Sequence, residues 1–86
     1  HMTKTITVRY FASIREAMGT GEETWATTAP TVAALRQELA GRSAQAALAL
    51  AEDQPVRLAL NQTMCPPDAP IAPGDEVAFF PPVTGG

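Results

Sequence analysis

Residues 4–11 read KTITVRYF, and their side chains alternate between polar and apolar as far as Tyr10. In an extended chain Ile6, Val8 and Tyr10 fall on one face, and the residues between them fall on the other, together with Phe11. Alternation of this kind is typical of a strand that buries one face and leaves the other open. The chain therefore opens with a strand of a sheet that is covered on one side.

Glycine and proline divide the next part of the chain into short segments. Residues 12–21 predict a short helical turn closed by glycines, and residues 22–28, EETWATT, predict a second strand. Thr31 is a suitable N-cap for the main helix, because apolar residues recur at helical spacing just after it. Residues 43–51, SAQAALALA, predict either a second short helix or an ordered loop.

The second half of the chain contributes the remaining strands. Residues 56–62, VRLALNQ, alternate again and predict a third strand. Its inward side chains are expected to be Val56, Leu58 and Leu60. Three prolines in the segment that follows predict a loop or a very short edge strand, because proline cannot donate to a sheet. Residues 76–80, EVAFF, predict the last strand, which stops where two further prolines begin.

The predicted order is strand, strand, main helix, strand, short strand, strand. A helix between the second and third strands of a mixed sheet covers one face only, which predicts an α+β architecture of the ubiquitin-like kind. The first and last strands are then central and parallel, joined by a right-handed crossover. We expect this domain to occupy residues 1–80.

Composition excludes several classes of protein. A length of 86 residues leaves room for one domain, and a net charge of −3 argues against nucleic acid as a partner. No apolar run is long enough to span a bilayer, and no segment has the pattern of a signal peptide. The single cysteine, Cys65, cannot form an internal disulfide, so we expect a cytoplasmic protein with no membrane association.

Histidine chemistry is also missing from the sequence. The only histidine is His1, and His1-Met2 has the form of a remnant of a cleaved affinity tag. Without it the chain has no Ser-His-Asp triad, no Cys-His pair and no histidine-rich metal site. We therefore expect neither a self-contained active site nor a bound cofactor or metal.

The most organised local pattern is the closing hexapeptide, PPVTGG, at residues 81–86. Pro81 and Pro82 must end the strand, and their fixed φ favours an extended departure from the body of the domain. Six extended residues reach on the order of 20 Å. Gly85 and Gly86 have no side chains, so the tip can enter a channel that is too narrow for other residues.

What the tip brings into such a channel is the terminal carboxylate of Gly86. A carboxylate is a poor electrophile, but activation as an acyl adenylate would make it reactive. A sulfur nucleophile would then leave a thiocarboxylate. The residues thus indicate a covalent carrier whose catalytic groups are supplied by other proteins.

Exposed aromatic side chains close to the tail indicate where a partner docks. Phe11 and Phe80 fall on the open face of the sheet, at the carboxyl ends of neighbouring parallel strands. Two exposed aromatics suit a docking site, and Met64 extends the patch with an adaptable side chain. The alternative is that one of the two aromatics belongs to the core.

Four segments, VRYFASIRE, TVAALRQ, LALNQT and GDEVAFFPPVTGG, together resemble the small, sulfur-carrying subunit of molybdopterin synthase. The resemblance implies a β-grasp fold and a heterotetramer of two small and two large subunits. It also implies that a ubiquitin-activating-type adenylyltransferase uses ATP to activate Gly86, and that a sulfur donor then supplies the thiocarboxylate. The sulfur would pass to cyclic pyranopterin monophosphate to form molybdopterin.

The same resemblance implies a role for particular residues. The sulfur-carrying tip is Gly85 and Gly86. The residues implied in contact with the large subunit are Phe11, Met64 and Phe80, with Arg15, Pro81, Pro82, Val83 and Thr84 as weaker candidates.

Two other functions fit the same ending. A sulfur carrier for thiamine thiazole synthesis shares the fold and the terminal glycines, although such carriers tend to be shorter and lack the FFPP segment. A ubiquitin-like tag, joined through Gly86 to lysines of target proteins, would use the same activation chemistry. An isopeptide link to Gly86 would identify the tag, and sulfur transfer in a complex with a large subunit would identify the carrier.

Overall fold

The computed structural model describes residues 3–81 and contains five strands and three helices in that range. In chain order these are β1 (Lys4–Tyr10), α1 (Ala12–Met18), β2 (Glu22–Thr27), α2 (Val32–Ala40), α3 (Ala44–Leu50), β3 (Arg57–Leu60), β4 (Thr63–Met64) and β5 (Glu76–Phe80). The predicted α+β architecture is confirmed. The sequence predicted the main helix α2, a short helical turn in the segment of α1, and a short helix or an ordered loop in the segment of α3. Both α1 and α3 are helices of seven residues.

All five strands join one mixed sheet in the order β2-β1-β5-β3-β4. The first and last strands lie side by side and run parallel, with Val8 next to Val77 and Tyr10 next to Phe79. Both strands are inside the sheet, as the sequence predicted. Because β1 and β5 run in the same direction, their carboxyl ends lie at the same edge of the sheet. Phe80, the last residue of β5, therefore lies near the start of α1, which follows β1.

The buried face of the sheet carries the apolar residues that alternation assigned to it. Ile6, Val8 and Tyr10 on β1 are at most 1% exposed, and Phe79 on β5 is fully buried. The rings of Tyr10 and Phe79 stack with their centroids 6.3 Å apart. The Tyr10 hydroxyl reaches the edge of this core and donates to Glu23 Oε2 at 2.7 Å. Burial, together with this hydrogen bond, raises the pKa of Tyr10, so the phenol stays protonated.

The main helix, α2, is capped at its start in two ways. The Thr31 hydroxyl accepts from the backbone N–H of Ala34 at 3.2 Å, which confirms Thr31 as the N-cap. The N–H of Ala33 donates to the carbonyl of Pro67 at 2.8 Å. The first N–H groups of a helix have no partner within it, so the proline-rich loop stabilises α2 by supplying acceptors.

The end of α3 is held by a side chain from α2. Arg36 donates from Nε to the carbonyl of Leu50 at 2.9 Å and from Nη2 to the carbonyls of Ala51 and Gln54. The last carbonyls of a helix also lack internal partners, and a guanidinium group is a favourable donor there. Of the two alternatives for the alanine-rich segment, a short helix or an ordered loop, the structure contains the helix, and a residue distant in sequence stabilises its end.

The third strand differs in detail from its prediction. The strand begins at Arg57, so Val56 precedes it and is only half-buried. Leu58 is buried as predicted, and Leu60, at the end of the strand, is half-buried. Ala59 is also buried although it points to the opposite face, where it lies between Ala78 of β5 and Met64 of β4. Alternation thus predicted the strand and the inward direction of all three residues, since Val56 and Leu60 also pack against the core, although only Leu58 is fully buried.

A tight turn joins β3 to β4. Its two central residues both have positive φ, 52° at Asn61 and 68° at Gln62, as a type I′ hairpin turn requires. The Asn61 side chain donates to Asp75 at 3.1 Å and accepts from the N–H of Glu76 at 3.0 Å. Asparagine tolerates this conformation well, whereas glutamine at the second position is strained.

Replacing Gln62 with glycine is expected to raise the free energy of unfolding by about 0.5–1 kcal/mol. Left-handed backbone costs a residue with a Cβ about 1–2 kcal/mol, and the greater freedom of glycine in the unfolded chain offsets part of the gain. Urea denaturation measures the change. Gln62→Ala is the matched control, because alanine keeps the strain. Equal stability of the two variants would contradict the assignment.

Candidate docking face and tail exit

The helices leave one side of the sheet uncovered. On that side, one residue from each of four neighbouring strands forms a row across the sheet. In order, these are Arg9 of β1, Ala78 of β5, Ala59 of β3 and Met64 of β4. One row further toward the carboxyl ends of β1 and β5, Phe80 lies beside Arg57. We call this surface the open face, formed by Arg9, Phe11, Arg57, Ala59, Met64, Ala78 and Phe80.

Two aromatic rings meet at the end of the open face from which the tail leaves. The rings of Phe11 and Phe80, the aromatic pair, pack edge to face with centroids 6.0 Å apart and planes at 89°. Phe11 is 41% exposed and Phe80 is half-buried. The backbone N–H of Phe11 donates to the carbonyl of Phe79 at 3.2 Å, which fixes Phe11 just beyond the last residue of β1. The predicted position of both rings is therefore confirmed.

The neighbouring residues on β5 show that neither ring of the aromatic pair belongs to the core. Val77 and Phe79 are fully buried, and they point to the side of the helices. Phe80 is next in sequence, so its side chain points to the opposite side. The alternative that one of the two aromatics is a core residue does not hold.

The middle of the open face is made of small side chains. Ala78 and Ala59 are 7% and 6% exposed and lie between Phe80 and Met64, which is 53% exposed. Because the two alanines are shielded, the exposed apolar surface of the open face comes mainly from Met64 and the aromatic pair. Exposed apolar surface of this kind, beside aromatic side chains, is typical of a protein–protein contact.

Arg9 is a component of the open face to which the sequence pattern assigned no role. Its guanidinium carbon lies 5.6 Å from the centre of the Phe11 ring. Arg9 Nε is 3.3 Å from Glu22 Oε1, and Nη1 is 3.8 Å from Glu76 Oε2. A signal was present in the alternation of β1, which puts Arg9 and Phe11 two residues apart on one face. Glu22 and Glu76 come from two other strands, so the alternation of β1 could not indicate the ion pairs that Arg9 makes.

The remaining predicted contact residues are only partly described. Arg15 is exposed on α1 and lies so close to Gly21 that a Cβ there would be 3.1 Å from its Nε. Pro81 is half-buried where β5 ends, and it lines an apolar groove of about 370 Å³ beside Leu48. The other predicted tail residues lie outside the described residues: Pro82, Val83, Thr84, Gly85 and Gly86.

Between residues 3 and 81, no three His, Cys, Asp or Glu side chains are placed to hold a metal ion. Cys65 is half-buried, and burial raises the pKa of its thiol, which disfavours the reactive thiolate. None of the helices in this part of the chain has the length and apolar character needed to cross a membrane.

Similarity to known proteins assigns the chain to a family. The profile described as the ThiS family matches residues 8–86, which is most of the sequence. The chain belongs to this family. It is similar to the molybdopterin synthase sulfur carrier subunit of Escherichia coli (strain K12), with 53% identity over 81 residues that cover 94% of this chain and 99% of the relative.

Solved structures agree with this assignment. The solution structure of the HVO 2177 protein of Haloferax volcanii has a TM-score of 0.82 and 29% identity, and the match covers 98% of this chain and 88% of that one. A second match is a complex of subunits 1 and 2 of the molybdopterin-converting factor from Helicobacter pylori 26695. It has a TM-score of 0.62 and 26% identity, covering 95% of this chain and 99% of that one. These likenesses confirm the ubiquitin-like β-grasp fold.

Proposed function

We propose that this chain is the sulfur carrier subunit of molybdopterin synthase and acts in molybdenum cofactor biosynthesis. The observation that carries the proposal is the 53% identity, over nearly the whole length of both chains, to a bacterial protein of that name. Membership of the ThiS family alone fits either of the two sulfur-carrier functions considered from the sequence. The bacterial relative favours molybdopterin synthase, and the exposed aromatic pair beside the tail exit agrees with a carrier that docks on a larger subunit.

In this proposal the reacting atoms are those of the Gly86 carboxyl group. A ubiquitin-activating-type adenylyltransferase transfers AMP from ATP to the carboxylate, and pyrophosphate leaves. A sulfur donor then delivers sulfur at the oxidation level of sulfide to the acyl carbon, AMP leaves, and the product is a terminal thiocarboxylate. The thiocarboxylate donates its sulfur to cyclic pyranopterin monophosphate, hydrolysis at the acyl carbon returns the Gly86 carboxylate, and repeated transfer builds the dithiolene of molybdopterin.

The folded domain contributes position rather than catalysis. The aromatic pair and Met64 dock on the large subunit, in a complex of two small and two large subunits. Pro81 leaves β5 at the edge of the sheet where the aromatic pair lies, so docking fixes the origin of the tail. A tail of fixed length and fixed origin brings its end to one depth, which is the requirement for reaction inside a channel. The activity belongs to the two-chain enzyme, which we place in the cytoplasm.

Reconstitution tests this function. The chain is incubated with ATP, an adenylyltransferase and a sulfur donor, and then added to the large subunit with cyclic pyranopterin monophosphate. We expect Gly86 to gain the mass difference between sulfur and oxygen, and molybdopterin to form. Formation of a thiocarboxylate without molybdopterin would favour the thiamine pathway, and isopeptide links from Gly86 to lysines of other proteins would favour a protein tag.

A further inference from the structure

Phe11 lies at a place where the sheet gives its ring little support. Phe11 follows the last residue of β1, and the next residue, Ala12, turns the chain with a φ of 53°. The Phe11 ring is therefore beyond the paired part of the strand. Its described ring contacts are the edge-to-face contact with Phe80 and the guanidinium group of Arg9.

Arg9 is held in place from both sides. Glu22 approaches it from β2 at 3.3 Å, and Glu76 approaches from β5 at 3.8 Å. The Nε atom of Arg9 is shielded from solvent, and among the described residues it makes no well-aligned hydrogen bond. The 3.3 Å contact with Glu22 Oε1 is therefore an ion pair without hydrogen-bond geometry. Arg9 thus lies between charges on two neighbouring strands, and its guanidinium group lies over the Phe11 ring, with the guanidinium carbon 5.6 Å from the ring centre.

We infer that Arg9 is a positioning residue for docking: it holds the Phe11 ring against Phe80 before the large subunit arrives. This inference rests on the proposed function. A ring that is already ordered loses little side-chain freedom when it is buried in a complex, whereas a free ring must be ordered at that moment. The contact between a guanidinium group and a ring also strengthens when a partner excludes water from it.

The effect is expected in binding rather than in folding. Arg9→Met keeps the length of the side chain and removes the charge, and at this half-exposed position it should leave the melting temperature almost unchanged. The affinity for the large subunit should fall by about tenfold. With the thiocarboxylated carrier, the KM for the carrier should rise while kcat for sulfur transfer stays the same, because the tail and its chemistry are untouched. Arg9→Lys, which keeps a cation near the ring, should recover part of the affinity.

A double-mutant cycle separates positioning from direct contact. In a Phe11→Ala background the ring is gone, so Arg9→Met should have no further effect on the affinity measured by calorimetry. If the full loss persists in that background, Arg9 contacts the partner itself and the inference is wrong. It is equally wrong if Arg9→Met binds as tightly as the parent. Arg42→Met is the matched control. The Arg42 guanidinium also lies over a ring, 4.6 Å from the centre of Trp25, but Trp25 is on the covered side of the sheet, where its Nε1 donates to Glu38 of α2.

The conformation of the Phe11 side chain in the free protein tests the inference without the large subunit. NMR of the free chain reports whether the Phe11 side chain keeps a single χ1 rotamer. We expect one rotamer in the parent and averaging in Arg9→Met, with Phe80 less affected. An unchanged Phe11 in the variant would overturn the inference even if the large subunit binds. Failure of the parent to bind the large subunit would instead count against the proposed function.

Discussion

A chain that lacks Gly86, or that carries one extra residue after it, is expected to lose sulfur transfer almost completely. One extended residue is about 3.3 Å, and an error of even 1 Å in placing a reacting group can cost about a hundredfold in rate. Both activation and transfer require the terminal carboxyl at a fixed depth, so both steps should fail. Mass spectrometry detects the exchange of oxygen for sulfur, and a reconstituted synthase reports molybdopterin formation.

The fold and the docking of such variants should barely change, because the sheet and the aromatic pair are complete by Phe80. Adding one residue before His1 is the matched control, since β1 starts at the edge of the sheet opposite to the tail exit. That variant should be as active as the parent. Full molybdopterin synthesis by the chain without Gly86 would contradict the proposed role of the tail.

Phe80→Ala is expected to weaken binding of the large subunit by about 2 kcal/mol or more, if the aromatic pair is the centre of the interface. The change removes half of the pair, while the fold should persist because the ring lies outside the core. Calorimetric titration gives the affinity, and thermal denaturation gives the stability of the same preparation.

Phe79→Ala, one residue earlier, should show the opposite pattern. The Phe79 ring is fully buried against Tyr10, so its removal should cost about 3–5 kcal/mol of stability. The affinity of the molecules that remain folded should stay close to that of the parent. If Phe79→Ala loses affinity and Phe80→Ala loses stability, the two faces of β5 have been assigned the wrong way round.

Local patterns were sufficient for the parts of the fold that depend on neighbours in sequence. The alternation of β1 predicted its buried face, and Thr31 predicted the start of α2 through a bond that reaches only three residues along the chain. The positions of Phe11 and Phe80 followed from the same alternation. The candidate docking residues were therefore accessible without a structure, as far as they lie on regular strands.

Contacts between distant segments were not accessible in the same way. The end of α3 depends on Arg36 of α2, which is 14 residues from Leu50, so composition alone left a helix and a loop open. The prolines predicted a loop or a short edge strand, but nothing in that segment indicates that its carbonyls accept from the first N–H groups of α2. The role of Arg9 depends on carboxylates from β2 and β5, and no periodicity in one strand reveals what faces it across the sheet.

The central position of β5 determines how the sheet responds to a pulling force on the tail. A pull on the tail loads β5 along its axis, and the strand is hydrogen-bonded on both sides, to β1 and to β3. Because β1 and β5 are parallel, a force between the two ends of the chain shears their ladder. The bonds must then yield together rather than one after another. If a partner pulls on the tail of the proposed carrier, the force therefore acts along the direction in which this part of the sheet resists most, and we expect the domain to stay folded.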